Sequence, residues 1–443
     1  MSDSQLSVSR LIVYALPAIP LAALTLPLYS FIPTFYAETL GLPLAGIGFA
    51  LFLVRAFDAV NDPVAGILAD RFRPAFGRRR AWFVASIPLV IVGVWKVFWP
   101  PVDADVWYLG VWSLVLSLGY TLAILPFTAW GAELETSYEG RSRVAAMREG
   151  LTLVGTLLAI SIPFSLGWEN ANELHGFALL AICIVISLPV LAAMTVSFVP
   201  EPAEHSTTRI GLIEGFQQVR SNTEFIRLAS AFFLNGFGNS IAATLFLLFC
   251  SARLGLTELR GPFLFVYFLC GIISVPFWNW IASKTSKHRA WCVAMIFAAI
   301  VFCPAPFLPE GSAWGFGIIC VLSGLALGAD ISLPPSIQAD VIDVDTARTG
   351  EQRSGVYFSL WSLATKMSLA LAVAAVFTAL GWFGFDAKTP ESSTAAGLTA
   401  LGFLYGWGPI TLKLPSLVLM WNFPLGRNEV ERLRAQIDSA KRA

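Results

Sequence analysis

The chain has 443 residues, is 56% hydrophobic and 13% charged, and carries no formal net charge, with a mean hydropathy of +0.70. Soluble domains carry about 25% charged residues, so the composition excludes a soluble globular chain and indicates a polytopic membrane protein. Balanced charge also leaves no basic footprint for nucleic acid.

Twelve apolar segments of about twenty residues or more follow one another over 11–35, 44–69, 81–99, 106–131, 144–167, 175–198, 225–250, 261–282, 290–308, 313–338, 354–380 and 395–421. They predict an all-α membrane protein of twelve transmembrane helices in two six-helix bundles, 1–198 and 225–421. A cytoplasmic middle loop (199–224) joins the bundles, and a cytoplasmic tail (422–443) follows. Ile210, Ile213, Phe216 and Val219 recur at helical spacing in the middle loop, which predicts a helix on the membrane surface. The first segment starts directly after Met1–Arg10 with no cleavage site for a signal peptide. With the N-terminus taken as cytoplasmic, only Arg253, Arg260 and Lys388 fall outside. The positive-inside rule then puts both termini in the cytoplasm of a cell whose plasma (inner) membrane holds the chain.

Proline punctuates the first segment at Pro17, Pro20, Pro27 and Pro33, and the tenth at Pro334-Pro335. Both are expected to be broken helices, a feature of transporters whose freed backbone groups face protein or a wet cavity. The second segment holds Arg55-Ala56-Phe57-Asp58-Ala59-Val60-Asn61-Asp62-Pro63. At 100° per residue Asp58 and Asp62 lie about 40° apart, with Arg55 beside them. An ionised group facing lipid there costs roughly 2.5–3.5 kcal/mol on insertion scales, so this face must look into protein or water. Two acids against one base leave a net negative site, which suits a Na⁺ or a proton. Asn61 and a nearby hydroxyl can supply further oxygens. A purely structural ion-pair cluster is the plainer alternative.

Lys366 lies midway along the eleventh segment and needs an acidic partner or a depressed pKa. With Arg55 it can balance the two carboxylates. A basic turn after the second segment ends in Arg80-Ala81-Trp82, and another after the eighth ends in Arg289-Ala290-Trp291. This is a weak internal repeat six segments long. Asp70, Arg71, Arg78 and Arg141 on the cytoplasmic side of the first half, with Asp340, Asp343 and Arg353 of the second, are the expected cytoplasmic gate. Arg148 offers a rigid donor fork, Trp361 an apolar face and Tyr120 an aromatic hydroxyl for substrate.

The run Arg55-x-x-Asp58-x-x-Asn61-Asp62-Pro63-x-x-Gly66 resembles the span-two signature of the glycoside–pentoside–hexuronide:cation symporters, the melibiose-permease family of the major facilitator superfamily. Tyr120-Thr121…Pro126-Phe127, Arg141…Arg148, Ala339-Asp340…Asp343 and Tyr357…Lys366 match further motifs in the expected order. The resemblance implies a twelve-helix, pseudo-symmetric facilitator fold and cation-coupled symport. It assigns the cation to Asp58, Asn61, Asp62 and Thr121, with Lys366 nearby. The family's sugar-binding carboxylates, however, match Ala22 and Ile124, its span-four tryptophan matches Thr128, and its acid at the start of span eleven matches Ser354.

The sequence therefore reads as a secondary active symporter driven by Na⁺ or H⁺ and working by alternating access. A glycoside-like solute is its first substrate. A carrier of an amphiphile such as a lysolipid, or of an organic acid, is the alternative, and a non-transporting membrane sensor is another. No nucleophile–base or metal-ligand cluster suggests an enzyme, and the six cysteines, Cys183 to Cys320, lack metal spacing. The expected partners are the substrate, the coupling cation and the bilayer. No cofactor is expected, and the chain is expected to be a monomer.

Overall fold

The computed structural model describes residues 7–71, 77–135, 138–167, 174–201, 222–349 and 354–425. Among these residues there is no strand. The expected middle-loop helix and the tail from Arg427 lie outside them.

Long helical runs appear in the expected order. They are α1 (Val8–Glu38), α2 (Leu44–Arg71), α3 (Arg78–Phe98), α4 (Val106–Leu134), α5 (Tyr138–Leu166), α6 (Gly176–Phe198), α7 (Thr223–Leu248), α8 (Arg260–Lys284), α9 (Lys287–Phe302), α10 (Ala313–Thr349), α11 (Ser354–Trp382) and α12 (Ala395–Trp421). Among the described residues, ten helices are long and apolar enough to cross a membrane.

The two proline-rich segments behave differently. Helix α1 is interrupted after Ala15, resumes at Ala18, and passes through a π turn at Pro27–Phe31. Pro27 and Pro33 lack the N–H that a regular α-helical ladder needs, and the wider turn absorbs the misfit. Helix α10, expected to break, runs without interruption through Pro334-Pro335. Both prolines supply the fixed φ of a helix, so only the hydrogen bonds back to residues 330 and 331 are lost.

The chain divides into two compact units, Met1–Thr207 with Asp386–Pro390, and Thr208–Phe385 with Glu391–Ala443. In the first, α1 packs on α5 and α6, α2 on α4, and α3 on α4 and α6. In the second, α7 packs on α11 and α12, α8 on α10, and α9 on α10 and α12. The neighbours are the same six helices on, which gives the Arg-Ala-Trp repeat its structural meaning.

Small residues set the closest approaches, as in membrane bundles generally. A Cβ on Gly155 of α5 would sit 2.2 Å from the Ile19 carbonyl oxygen of α1, and one on Gly324 of α10 would sit 2.4 Å from the Tyr267 carbonyl oxygen of α8. Polar side chains then stitch neighbouring backbones. Thr195 Oγ1 donates to Val13 O (2.8 Å), Trp278 Nε1 to Leu325 O (2.7 Å) and Ser416 Oγ to Ala231 O (2.8 Å).

Candidate functional site

The sharpest polar site of the first unit lies between α2 and α4. Asp58 and Asp62 stand one turn apart on α2, and Ser113, Ser117 and Thr121 stand at intervals of four on α4. Fours keep side chains on one helix face, so packing α2 on α4 brings the two sets together. Thr121 Oγ1 donates to Asp62 Oδ1 at 2.8 Å, and Ser117 Oγ donates to Asp58 Oδ1. The other oxygen of Asp58, Oδ2, accepts from Arg55 Nη1 at 2.5 Å.

Burial separates the two acids. Asp58 has no exposed surface and Arg55 is 6% exposed, whereas Asp62 and Asn61 are half-buried. The π turn of α1 brings Tyr29 over Arg55, with the guanidinium carbon 4.0 Å from the ring centroid. A hollow of about 10 Å³ lies beside Ser117, between Thr25, Tyr29 and Tyr120. Asn61 Nδ2 is buried and meets no hydrogen-bond partner among the described residues. The formal charges of Arg55, Asp58 and Asp62 sum to one negative charge, so one monovalent cation would neutralise the cluster.

The other predicted residues sit as follows. Tyr120 lines the hollow. Arg148 Nη2 holds Glu149 Oε1 at 2.7 Å. Trp361 stacks on Phe232 with centroids 3.8 Å apart. Lys366 is half-buried on α11 in the second unit. Of the expected gate, Arg78 Nη2 reaches Glu133 Oε1 at 2.8 Å, and its neighbour Arg79 reaches the same oxygen at 2.6 Å. Glu201 accepts from the Arg79 backbone N–H at 2.8 Å, an acid at the positive end of α3. Asp340 Oδ2 accepts from Lys287 Nζ at 2.5 Å. These contacts tie helix ends within one half. The side chains of Asp70, Arg71, Arg141, Asp343 and Arg353 lie outside the described residues.

Sequence reasoning missed a buried polar knot in the second unit. Asp330 of α10 accepts from Asn235 Nδ2 (2.9 Å) and Trp291 Nε1 (2.6 Å) on Oδ1, and from Asn239 Nδ2 (2.8 Å) on Oδ2. Lys413 of α12 donates to Asn235 Oδ1 (2.6 Å) and Asn239 Oδ1 (2.7 Å), with its ammonium 3.8 Å from Asp330 Oδ2. The signal was present: two asparagines four apart on α7, an aspartate mid-way along α10, and a lysine within α12. Carrying the spacing of the two Arg-Ala-Trp turns onto α4 puts Thr121 opposite Asp330.

The positions matching a sugar site are poor in free acceptors. Ala22 is buried, and its Cβ lies 3.0 Å from where a Cβ on Gly155 would stand. Thr128 gives its hydroxyl proton to its own helix, Oγ1 to Ile124 O at 2.8 Å and Leu125 O at 3.0 Å.

Long apolar helices in two repeated sets of six, with carboxylates and hydroxyls buried between them, define a membrane transporter of the major facilitator superfamily. A family model described as MFS/sugar transport protein matches residues 13–427, and the chain belongs to that family. It is 22% identical to a sodium-dependent lysophosphatidylcholine symporter of Gallus gallus, over 96% of this chain and 88% of that protein. It is 21% identical to a sphingosine-1-phosphate transporter of Mus musculus, over 99% of this chain and 94% of that one. A crystal structure of a variant of the nucleoside transporter NupG shares the fold, with a TM-score of 0.70 at 11% identity over 93% of this chain and 99% of that chain.

Proposed function

We propose that this protein is a cation-coupled symporter of an amphiphile, a single-chain lipid with a polar head, and that Na⁺ is its coupling ion. The amphiphile takes the place of the glycoside-like solute that the sequence suggested first. The observation that carries this is the poverty of free acceptors at Ala22, Ile124 and Thr128. Sugar hydroxyls need precisely placed buried partners; an alkyl chain needs only apolar surface. The lysolipid and sphingosine phosphate transporters among the relatives support the same substrate class, and the sodium dependence in the first one's name supports the ion.

In this reading Asp58, Asn61, Asp62 and Thr121 take the ion, and Arg55 and Lys366 balance the charge. Arg148, Trp361 and Tyr120 meet the substrate. The ion cancels the excess negative charge of the cluster and so favours the substrate-competent arrangement. Linkage makes the effect reciprocal, with couplings of about 1–3 kcal/mol typical. The two bundles then expose the substrate alternately to each side. Asp70, Arg71, Arg78, Arg141, Asp340, Asp343 and Arg353 are carried forward as the cytoplasmic gate. The chain works as a monomer in the plasma membrane with both termini inside.

The test is uptake by purified protein in liposomes under an imposed Na⁺ gradient, with protein-free liposomes as background. Labelled lysophosphatidylcholine is expected to accumulate only with inward Na⁺, and melibiose is not. Accumulation of melibiose without lysolipid would return the substrate to the sugars. Lysolipid uptake indifferent to Na⁺ at every pH would remove the coupling.

A further inference from the structure

We infer that Ser117 is a direct ligand of the coupling cation. The inference rests on the cation-coupled reading above and deepens it by adding a ligand that the sequence motif does not contain.

Thr121 donates to Asp62 Oδ1, and one helical turn earlier Ser117 donates to Asp58 Oδ1. Both hydroxyls come from the same face of α4, and both bind the first oxygen of a carboxylate on α2. A hydroxyl that donates its proton keeps lone pairs for a cation. Whatever lets Thr121 ligate an ion beside Asp62 therefore lets Ser117 ligate it beside Asp58.

Asp58 is fully buried, and its Oδ2 is already taken by Arg55. Only the side facing Ser117 remains for an ion. A cation reaching that oxygen leaves its water behind and needs hard oxygen ligands in exchange. Ser117 is 3% exposed and is the hydroxyl in place.

The hollow of about 10 Å³ at Ser117 is lined by Leu24, Leu28 and Leu116 as well as by Thr25, Tyr29 and Tyr120, and its surface is mostly apolar. That volume is about the lower limit for one water, so the packing beside Ser117 is not fully closed. Ser113, one turn further along the same face, is 1% exposed, and its Oγ meets no hydrogen-bond partner among the described residues. The hydroxyl ladder of α4 thus extends beyond the groups it now serves.

The experiment is a thermal melt of the purified full-length protein, titrated with NaCl at ionic strength held constant with choline chloride. Wild type is expected to be protected by Na⁺. Ser117→Ala is expected to raise the half-protecting Na⁺ concentration by about tenfold or more, and Ser117→Thr, which keeps the hydroxyl, to stay near wild type. Ser117→Cys keeps the volume but offers soft sulfur. It is expected to lose Na⁺ affinity as the alanine does, and it carries the test if the alanine variant does not fold. If the alanine or cysteine variant titrates like wild type while Asp62→Asn loses the response, Ser117 is no ligand and the symporter reading stands. If wild type itself shows no protection by Na⁺, both fall together.

Discussion

Lys413 and Asp330 stand 3.8 Å apart inside the second bundle, and two asparagine amides bridge them. Asn235 and Asn239 each accept from the ammonium and donate to the carboxylate, so both charges are solvated by protein. Lys413 is 2% exposed. Removing one partner of such a pair strands the other, which typically costs about 3–5 kcal/mol. Lys413→Met is therefore expected to lower thermal stability by that order. Lys413→Met with Asp330→Asn should recover most of the loss, because no charge is left without a partner. A double variant no more stable than the single one would show that the knot acts through shape rather than charge.

The same logic ranks the two acids of α2. Asp58→Asn strands the buried Arg55 guanidinium and is expected to destabilise by about 3–5 kcal/mol. Asp62→Asn keeps an acceptor for Thr121 and should cost no more than about 1 kcal/mol, while still removing a charge from the ion site. Melting curves of the two variants separate fold from coupling. Equal losses in both would contradict the difference in burial.

His175 gives the first unit a pH dependence. It precedes α6, and its Nδ1 accepts from the Ala178 N–H at 3.2 Å. Only neutral imidazole can accept at that nitrogen. Burial lowers its pKa from 6.5 to about 4. Between these values the unfolded chain binds the proton more readily, so stability rises with pH. The contribution is complete above about pH 6.5 and is lost as pH falls through about 4. His175→Asn, which retains a capping acceptor, should flatten that part of the stability–pH profile. An unchanged profile would place the titration elsewhere.

Gly155 tests the seam between α1 and α5. A Cβ there would stand 2.2 Å from the Ile19 carbonyl oxygen, and backbone cannot yield as a side-chain tip can. Gly155→Ala is expected to cost about 1–3 kcal/mol, read as a lower melting temperature. Gly150→Ala on the same helix, with open space around it, is the control and should not be destabilised.

The twelve segments, the acids of α2 and the repeat were legible because each is a local or periodic signal. Hydropathy over twenty residues reports a span whatever packs beside it. Fours on a helix put Asp58 and Asp62 on one face without reference to any neighbour. The break in α1 could be read from its prolines. The continuity of α10 could not, since proline permits either outcome and packing chooses.

What the sequence could not decide is which side chains from distant segments meet. Charge counting gives Arg55 and Lys366 as the balance for the two acids without saying which holds which; in the fold Arg55 holds Asp58, while Asp62 accepts from Thr121. Ser117 is an ordinary serine until α4 lies against α2. Asp330, Asn235, Asn239, Trp291 and Lys413 come from four helices and form one knot only when those helices pack. Composition and period therefore determined the class of protein and the faces of its helices. Which charge is buried, and against which partner, was decided by tertiary packing, because in a low dielectric the cost of a charge depends on the groups within a few ångströms of it.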